Sequence, residues 1–163
     1  MKRLPSPGTF ATAAMLALVF FFSAFRPAEA FLDKTRFAAH LGIAYFCFHH
    51  WVMKPYQEQR FAPGAPHRTA SLVKGGVALL FAVHEVRVAA KIARLSKDPL
   101  LQKLSGGVDS LTGSFAAVGQ RLKGGQFSPN DVKALDSATS SVAADAAAGG
   151  TPIKDVPVAV PGA

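Results

Sequence analysis

The apolar positions between residues 101 and 122 recur in steps of three and four, the spacing of one face of an α-helix. Asp98 is a suitable N-cap for this helix, and Pro99 suits its first position. The pattern therefore predicts a strongly amphipathic helix over 98–122. Gly106 and Gly107 fall inside it and predict a soft point, because glycine costs ~1 kcal/mol relative to alanine in a helix. The apolar stripe consists of Leu101, Leu104, Val108, Leu111, Phe115, Val118 and Leu122.

Two further helices are predicted earlier in the chain. The first spans 33–54 and is ended by Pro55, and the second begins at Thr69 or Ser71 and ends near residue 95. Prolines and a glycine between the two indicate a connecting loop. The predicted apolar positions are Phe37, Leu41, Ala44, Phe48 and Trp51 in the first helix, and Val73, Val77, Leu80, Phe81, Val88 and Ile92 in the second.

A fourth, smaller helix is predicted to start at Ser128, in a sequence that resembles a capping box. Residues 149–163 contain three prolines and no helical period, which predicts a disordered C-terminal tail. No apolar–polar alternation indicates a strand. The sequence thus predicts an all-α protein, with an N-terminal signal helix followed by about four amphipathic helices in a small bundle. The buried positions of the fourth helix should be Val132, Leu135, Thr139, Val142 and Ala146.

The first thirty residues have the three parts of a secretory signal. Met1–Arg3 is positively charged, Ala11–Phe25 is apolar, and Ala28–Ala30 has the small residues that a signal peptidase prefers. The apolar run is shorter than the ~20 residues of a spanning helix, so cleavage is favoured over retention as an anchor. The mature protein is therefore expected outside the cytoplasm, either secreted or in the cell envelope.

The mature chain divides by charge. We interpret residues 1–30 as the signal peptide, 31–97 as a basic helical hairpin, 98–148 as an amphipathic helical pair packed on it, and 149–163 as the tail. The hairpin holds ten Lys or Arg against three acidic residues, whereas residues 98–163 hold five against six. An anionic partner is therefore expected at the hairpin.

For an exported protein, the expected anionic partner is a membrane or wall surface, with an unidentified protein as the other class. Nucleic acid is excluded because the basic residues are not interleaved with stacking aromatics and the chain leaves the cytoplasm. The alternative meaning of the positive charge is simple solubility. The candidate surface-binding residues are Lys54, Arg60, Arg68, Lys74, Arg87 and Lys91.

The sequence gives little indication of an enzyme. It has no glycine-rich phosphate loop, and His84-Glu85 fails to extend to H-E-x-x-H because residue 88 is valine. Cys47 lies among aromatic residues, which predicts a buried thiol rather than a nucleophile. We therefore predict a non-enzymatic protein without a cofactor, and no small-molecule substrate is evident.

Two alternatives to this interpretation depend on the hairpin. His40 and His84 should lie level in it, so the two imidazoles could ligate haem b or a transition metal. A histidine on an apolar face is nevertheless more often hydrogen-bonded to a protein partner. The second alternative is an integral membrane protein with two or three spans that include 37–53 and 76–93, although several histidines and charged side chains within those segments disfavour it.

N-terminal sequencing of the exported protein tests the signal prediction. We expect Phe31 as the first residue, because the Ala28–Ala30 motif follows the apolar run directly. Recovery of intact residues 1–30 on membrane-bound protein would instead identify the segment as an anchor.

Overall fold

The computed structural model describes residues 26–163, which are all-helical apart from loops and an extended C-terminal segment. The predicted signal segment lies almost entirely outside these residues and stays a prediction. Four long helices form the described fold, and no strand occurs within residues 26–163. The elements are α1 (Arg26–Phe48), a π-helical turn (His49–Met53), α2 (Lys54–Gln57), α3 (Arg68–Leu95), α4 (Pro99–Lys123) and α5 (Pro129–Ala148).

The first helix does not end at Pro55, contrary to the prediction from sequence. It continues through the π-helical turn into α2, where Pro55 occupies the first turn and needs no N–H partner. The N–H of Lys54 donates to the carbonyl of His49, five residues back, so the wider turn accommodates the proline. The segment from α1 to α2 is therefore one rod, roughly 45 Å long at ~1.5 Å per residue.

The start of the first helix also differs from the prediction. The helix was predicted to begin at Asp33, but it is already formed at Arg26, and Asp33 lies within it. Pro27, directly before the Ala28–Ala30 motif, already has helical backbone.

Helix α3 is the central element and packs against both α1 and α4. Its buried face consists mainly of small residues, unlike the face predicted from its larger apolar residues, which are only half-buried. A Cβ atom added at Gly76 would collide with the Gly119 carbonyl and the Lys123 backbone. The prediction was wrong because small side chains allow helix backbones to approach closely, which turns the larger side chains outward. The buried residues are Leu72, Gly75, Gly76, Ala78, Leu79, Ala82, Val83, Glu85, Val86, Ala89, Ala90 and Ala93.

Helix α4 confirms the strongest pattern in the sequence. All seven residues of its predicted stripe are buried, and Phe115 packs against Phe48 of α1 with ring centroids 6.2 Å apart. A side-chain oxygen of Asp98 accepts hydrogen bonds from the N–H groups of Leu100 and Leu101, which confirms the cap. The helix runs without interruption through Gly106 and Gly107, where a soft point was predicted.

Helix α5 buries all five of its predicted positions. The Tyr45 hydroxyl of α1 donates a 2.8 Å hydrogen bond to the Thr139 carbonyl, which ties the first and last helices together. The predicted side-chain cap is not formed, since the Ser128 hydroxyl makes no capping bond and its backbone carbonyl accepts from the Asp131 N–H instead.

The C-terminal segment is packed rather than disordered, which corrects the prediction. Residues 151–163, here called the strap, run extended across the helices and bury Thr151 and Val160. The Val156 N–H donates a 3.0 Å hydrogen bond to the Gly42 carbonyl of α1. The prolines that exclude a helix also favour an extended chain, and apolar residues spaced along it pack on the bundle.

No helix within residues 26–163 has the length and apolarity required to cross a membrane. The helices instead bury their apolar faces against one another.

The role of α4 as a core helix can be tested by truncating its buried side chains. Leu111→Ala or Phe115→Ala should lower the free energy of unfolding by ~2 to 5 kcal/mol through cavity formation. Gln120→Ala, at an exposed position of the same helix, should stay within ~0.5 kcal/mol of the unmutated protein. Urea denaturation measures all three, and equal small effects would show that α4 is not packed.

Candidate functional site

The hairpin of α1 and α3 contains a buried carboxylate, Glu85, whose partner is His40. Glu85 is 8% exposed, and its Oε2 lies 2.7 Å from Nδ1 of His40. The side chain of His40 is 29% exposed and so covers Glu85 from the solvent side. An unpartnered carboxylate is costly to bury, so His40 offsets part of the cost of burying Glu85.

The pair replaces the predicted meeting of His40 with His84. The two helices bring these residues to the same level, as expected, but the side chain that faces His40 belongs to the next residue, Glu85. His84 itself is exposed. Within residues 26–163, no group of three or more His, Cys, Asp or Glu side chains is arranged to hold a metal ion. In the described fold His40 is paired with Glu85 rather than with His84, and the two-imidazole site for haem b or a transition metal stays a prediction.

Cys47 is fully buried, as its aromatic neighbours predict. Burial, with a smaller effect from the negative charge of Glu85, raises the pKa of the thiol to about 12. The thiol therefore stays protonated near neutral pH and is a poor nucleophile.

The π-helical turn gathers an aromatic and basic cluster at the loop end of the molecule. The His50 ring stacks on Phe46 with centroids 5.1 Å apart, and the Lys74 ammonium lies 5.9 Å from the centroid of Trp51. Tyr56 packs against Phe127 rather than projecting freely. In these contacts the aromatic rings pack against other residues of the same protein.

The six predicted surface-binding residues do not lie in one patch. Lys54, Arg60, Arg68 and Lys74 lie at the loop end, whereas Arg87 and Lys91 are exposed on the second half of α3. Two of the first group are engaged, since Arg60 pairs with Glu58 at 2.7 Å and Arg68 donates to the Phe61 carbonyl.

The opposite end of the bundle carries an unusual concentration of exposed apolar side chains. Among the described residues, four large apolar side chains are classed as exposed, and three of them lie where α1 starts and α3 ends. Phe31 is 69% exposed, Leu32 59% and Leu95 73%. Two adjoining shallow grooves, of about 570 and 360 Å³, share Leu95 and Asp33 in their walls.

Charged side chains of both signs line these grooves beside Leu95, the acidic ones being Glu29, Asp33 and Asp98. Arg36 and Lys91 line the smaller groove, Lys97 lines the larger, and none of the three forms an ion pair within residues 26–163. We call the set of Phe31, Leu32, Leu95, Arg36, Lys91 and Lys97 the apolar–basic patch. Only Lys91 was predicted from sequence, since the patch joins two segments that are distant in the chain.

A partly buried ion pair joins two elements of the fold beside the patch. Lys34 Nζ lies 3.0 Å from Oδ2 of Asp98, which links the start of α1 to the α3–α4 connection. Burial raises the pKa of the Asp98 carboxyl, but hydrogen bonds from Lys34 and the Leu101 N–H outweigh it and lower the pKa below its ordinary value. This stabilising contribution is present at neutral pH and is lost as pH falls through the lowered pKa.

No protein family, curated protein or solved structure matches the chain in sequence or structure comparisons.

The coupling of His40 to Glu85 can be measured by a double-mutant cycle. His40→Ala should cost ~1 to 3 kcal/mol, because it leaves the buried carboxylate without its partner. In a Glu85→Leu background the same change should cost much less, since no carboxylate remains to be stranded.

Urea denaturation of the four proteins gives the coupling energy, with exposed His84→Ala as the matched control, expected within ~0.5 kcal/mol of the parent. Equal costs of His40→Ala in both backgrounds would show that the two side chains act independently.

Proposed function

We propose that this protein is an exported, non-enzymatic helical bundle that binds reversibly to an anionic lipid surface through the apolar–basic patch. The observation that supports the proposal is the coincidence of two features at one end of the fold. That end holds three of the four exposed large apolar side chains and also three basic side chains without ion-pair partners among the described residues. Scattered exposed apolar residues are ordinary, but a cluster rimmed by charge is typical of an interaction site.

The two kinds of side chain contribute differently to such binding. Each Lys or Arg near an anionic surface contributes ~1 kcal/mol at low salt, so Arg36, Lys91 and Lys97 together contribute ~3 kcal/mol. Phe31, Leu32 and Leu95 can enter the boundary between headgroups and acyl chains, where each buried methylene adds ~0.8 kcal/mol. A wall polymer offers charge but no acyl layer, so the apolar residues favour a lipid surface.

The predicted signal sequence ends at this patch. Cleavage after Ala30 would make Phe31 the first residue, adding a positively charged α-amino group there and removing the acidic Glu29. Retention of the segment would instead connect the patch to the apolar run at residues 11–25. With the segment retained, the patch would be the part of the bundle adjacent to the membrane.

Sedimentation with lipid vesicles tests the proposal. Binding to anionic vesicles should exceed binding to neutral vesicles at 0.1 M salt, and it should fall sharply at 1 M salt, as the Debye length shortens from ~10 Å to ~3 Å. The triple variant Arg36→Gln, Lys91→Gln, Lys97→Gln should bind about a hundredfold more weakly at 0.1 M salt, as loss of ~3 kcal/mol requires.

The matched control carries the same loss of charge at the other end of the bundle. Lys54→Gln, Lys123→Gln, Lys133→Gln changes three exposed lysines and should retain most of the binding. Equal losses in the two triple variants would show that net charge, rather than the patch, is responsible. Absence of binding to both kinds of vesicle by the parent protein would reject the proposed function.

A further inference from the structure

The strap is attached to the bundle by few and partly exposed polar contacts. One backbone hydrogen bond joins Val156 to Gly42, and His49 Nδ1 lies 2.8 and 3.0 Å from the two carboxylate oxygens of Asp155. The side chains of the His49–Asp155 pair are 42% and 39% exposed, so solvent weakens their attraction. The Thr151 N–H also donates a 2.8 Å hydrogen bond to the Ala146 carbonyl at the end of α5. The rest of the attachment is apolar, through Ile153, Val158, Val160 and Ala163.

The strap crosses one side of the hairpin formed by α1 and α3. A Cβ atom at Gly42 would collide with the Lys154 carbonyl, so the strap backbone lies directly on α1 there. Near its end, a Cβ atom at Gly162 would be 3.8 Å from a methyl group of Val77 in α3. We call the surface of the hairpin that lies under the strap, from Gly42 in α1 to Val77 in α3, the covered face.

The strap begins after a sharp turn at the end of α5, which the positive φ of Gly150 (77°) marks. One feature of the strap favours its release over permanent attachment. The Thr151 hydroxyl is buried without a hydrogen-bond partner among the described residues. Release would return that hydroxyl to water, which partly offsets the loss of apolar contact.

We propose that the strap is a reversible cover, and that its release exposes the covered face for insertion into the same lipid surface. This inference rests on the proposed function and adds a form of regulation to it. The covered face and the apolar–basic patch both lie on α1 and α3, so a bundle already held by the patch can bring the uncovered side of the hairpin onto the membrane. Binding would then change from mainly electrostatic to mainly apolar.

Gly42→Ala tests this proposal without deleting any residue. The added methyl group collides with the strap backbone, whereas alanine itself favours the helix. Gly113→Ala is the matched control, because it makes the same change in α4 with open space around the new Cβ atom. Far-UV circular dichroism should show that both variants keep their helical content.

The measured quantity is binding to vesicles at 1 M salt, where charge attraction is screened. Gly42→Ala should increase this salt-resistant binding about tenfold over Gly113→Ala, as burial of roughly two additional methylene groups would produce. Deletion of residues 151–163 should give at least the same increase. Asp155→Asn, which removes the charge partner of His49, should give a smaller one.

The possible outcomes separate the two proposals. If Gly42→Ala, Asp155→Asn and the deletion all bind at 1 M salt no better than Gly113→Ala, the strap is not a cover for a lipid-binding face, whether or not the parent binds at 0.1 M salt. If the parent fails to bind at 0.1 M salt while the Gly42→Ala variant gains salt-resistant binding, the patch proposal fails and the strap proposal stands.

Discussion

The close approach of α3 to its neighbours is the constraint on which the rest of this structure depends. Gly76 lies against the backbone of α4 at Gly119 and Lys123, with no room for a side chain at that point. Gly75 lies similarly close to the Trp51 carbonyl. A larger residue at either position would force the helices apart. Glycine lowers intrinsic helix stability, so the stability of α3 must come from the tertiary packing that these glycines permit.

Packing through small side chains also determines what is left at the surface. Because glycine and alanine fill the interfaces of α3, its larger apolar residues, such as Val77 and Phe81, lie at the edges and are only half-buried. An extended segment can cover such an edge, as the strap does at Val77, whereas within residues 26–163 the end of α3 at Leu95 has no such cover. The half-buried edge that the strap covers at Val77 is thus a consequence of the way α3 packs.

The sequence predicted buried positions best in helices that have a single apolar face. Helices α4 and α5 each bury a single stripe, so periodicity alone identified every buried position there except Gly119. It failed for α3, which is buried on two sides, since a central helix of small residues has no single apolar face. The sequence also placed His40 at the correct level in the hairpin, but it predicted His84 as the partner instead of Glu85. An error of one position matters because it rotates a side chain by ~100° around a helix.

The remaining differences arose where distant parts of the chain meet. Pro55 was expected to end a helix, and only the preceding π-helical turn explains why it does not. The strap has no period of its own, and its order depends on contacts with Gly42 and His49, more than a hundred residues earlier. Local sequence patterns carry no information on such contacts.

The distribution of charge over the fold shows why the net charge of the sequence could not locate a binding surface. The basic half of the chain has an excess of seven positive charges, yet several of them are neutralised within the fold. Lys34 pairs with Asp98 and Arg94 with Asp109, both acidic partners coming from the other half of the chain. Ion pairing between the halves removes positive charge from some parts of the hairpin and leaves it at others. A surface that attracts anions is therefore defined by the cations that folding leaves unpaired, and the tertiary structure, rather than the composition, determines which those are.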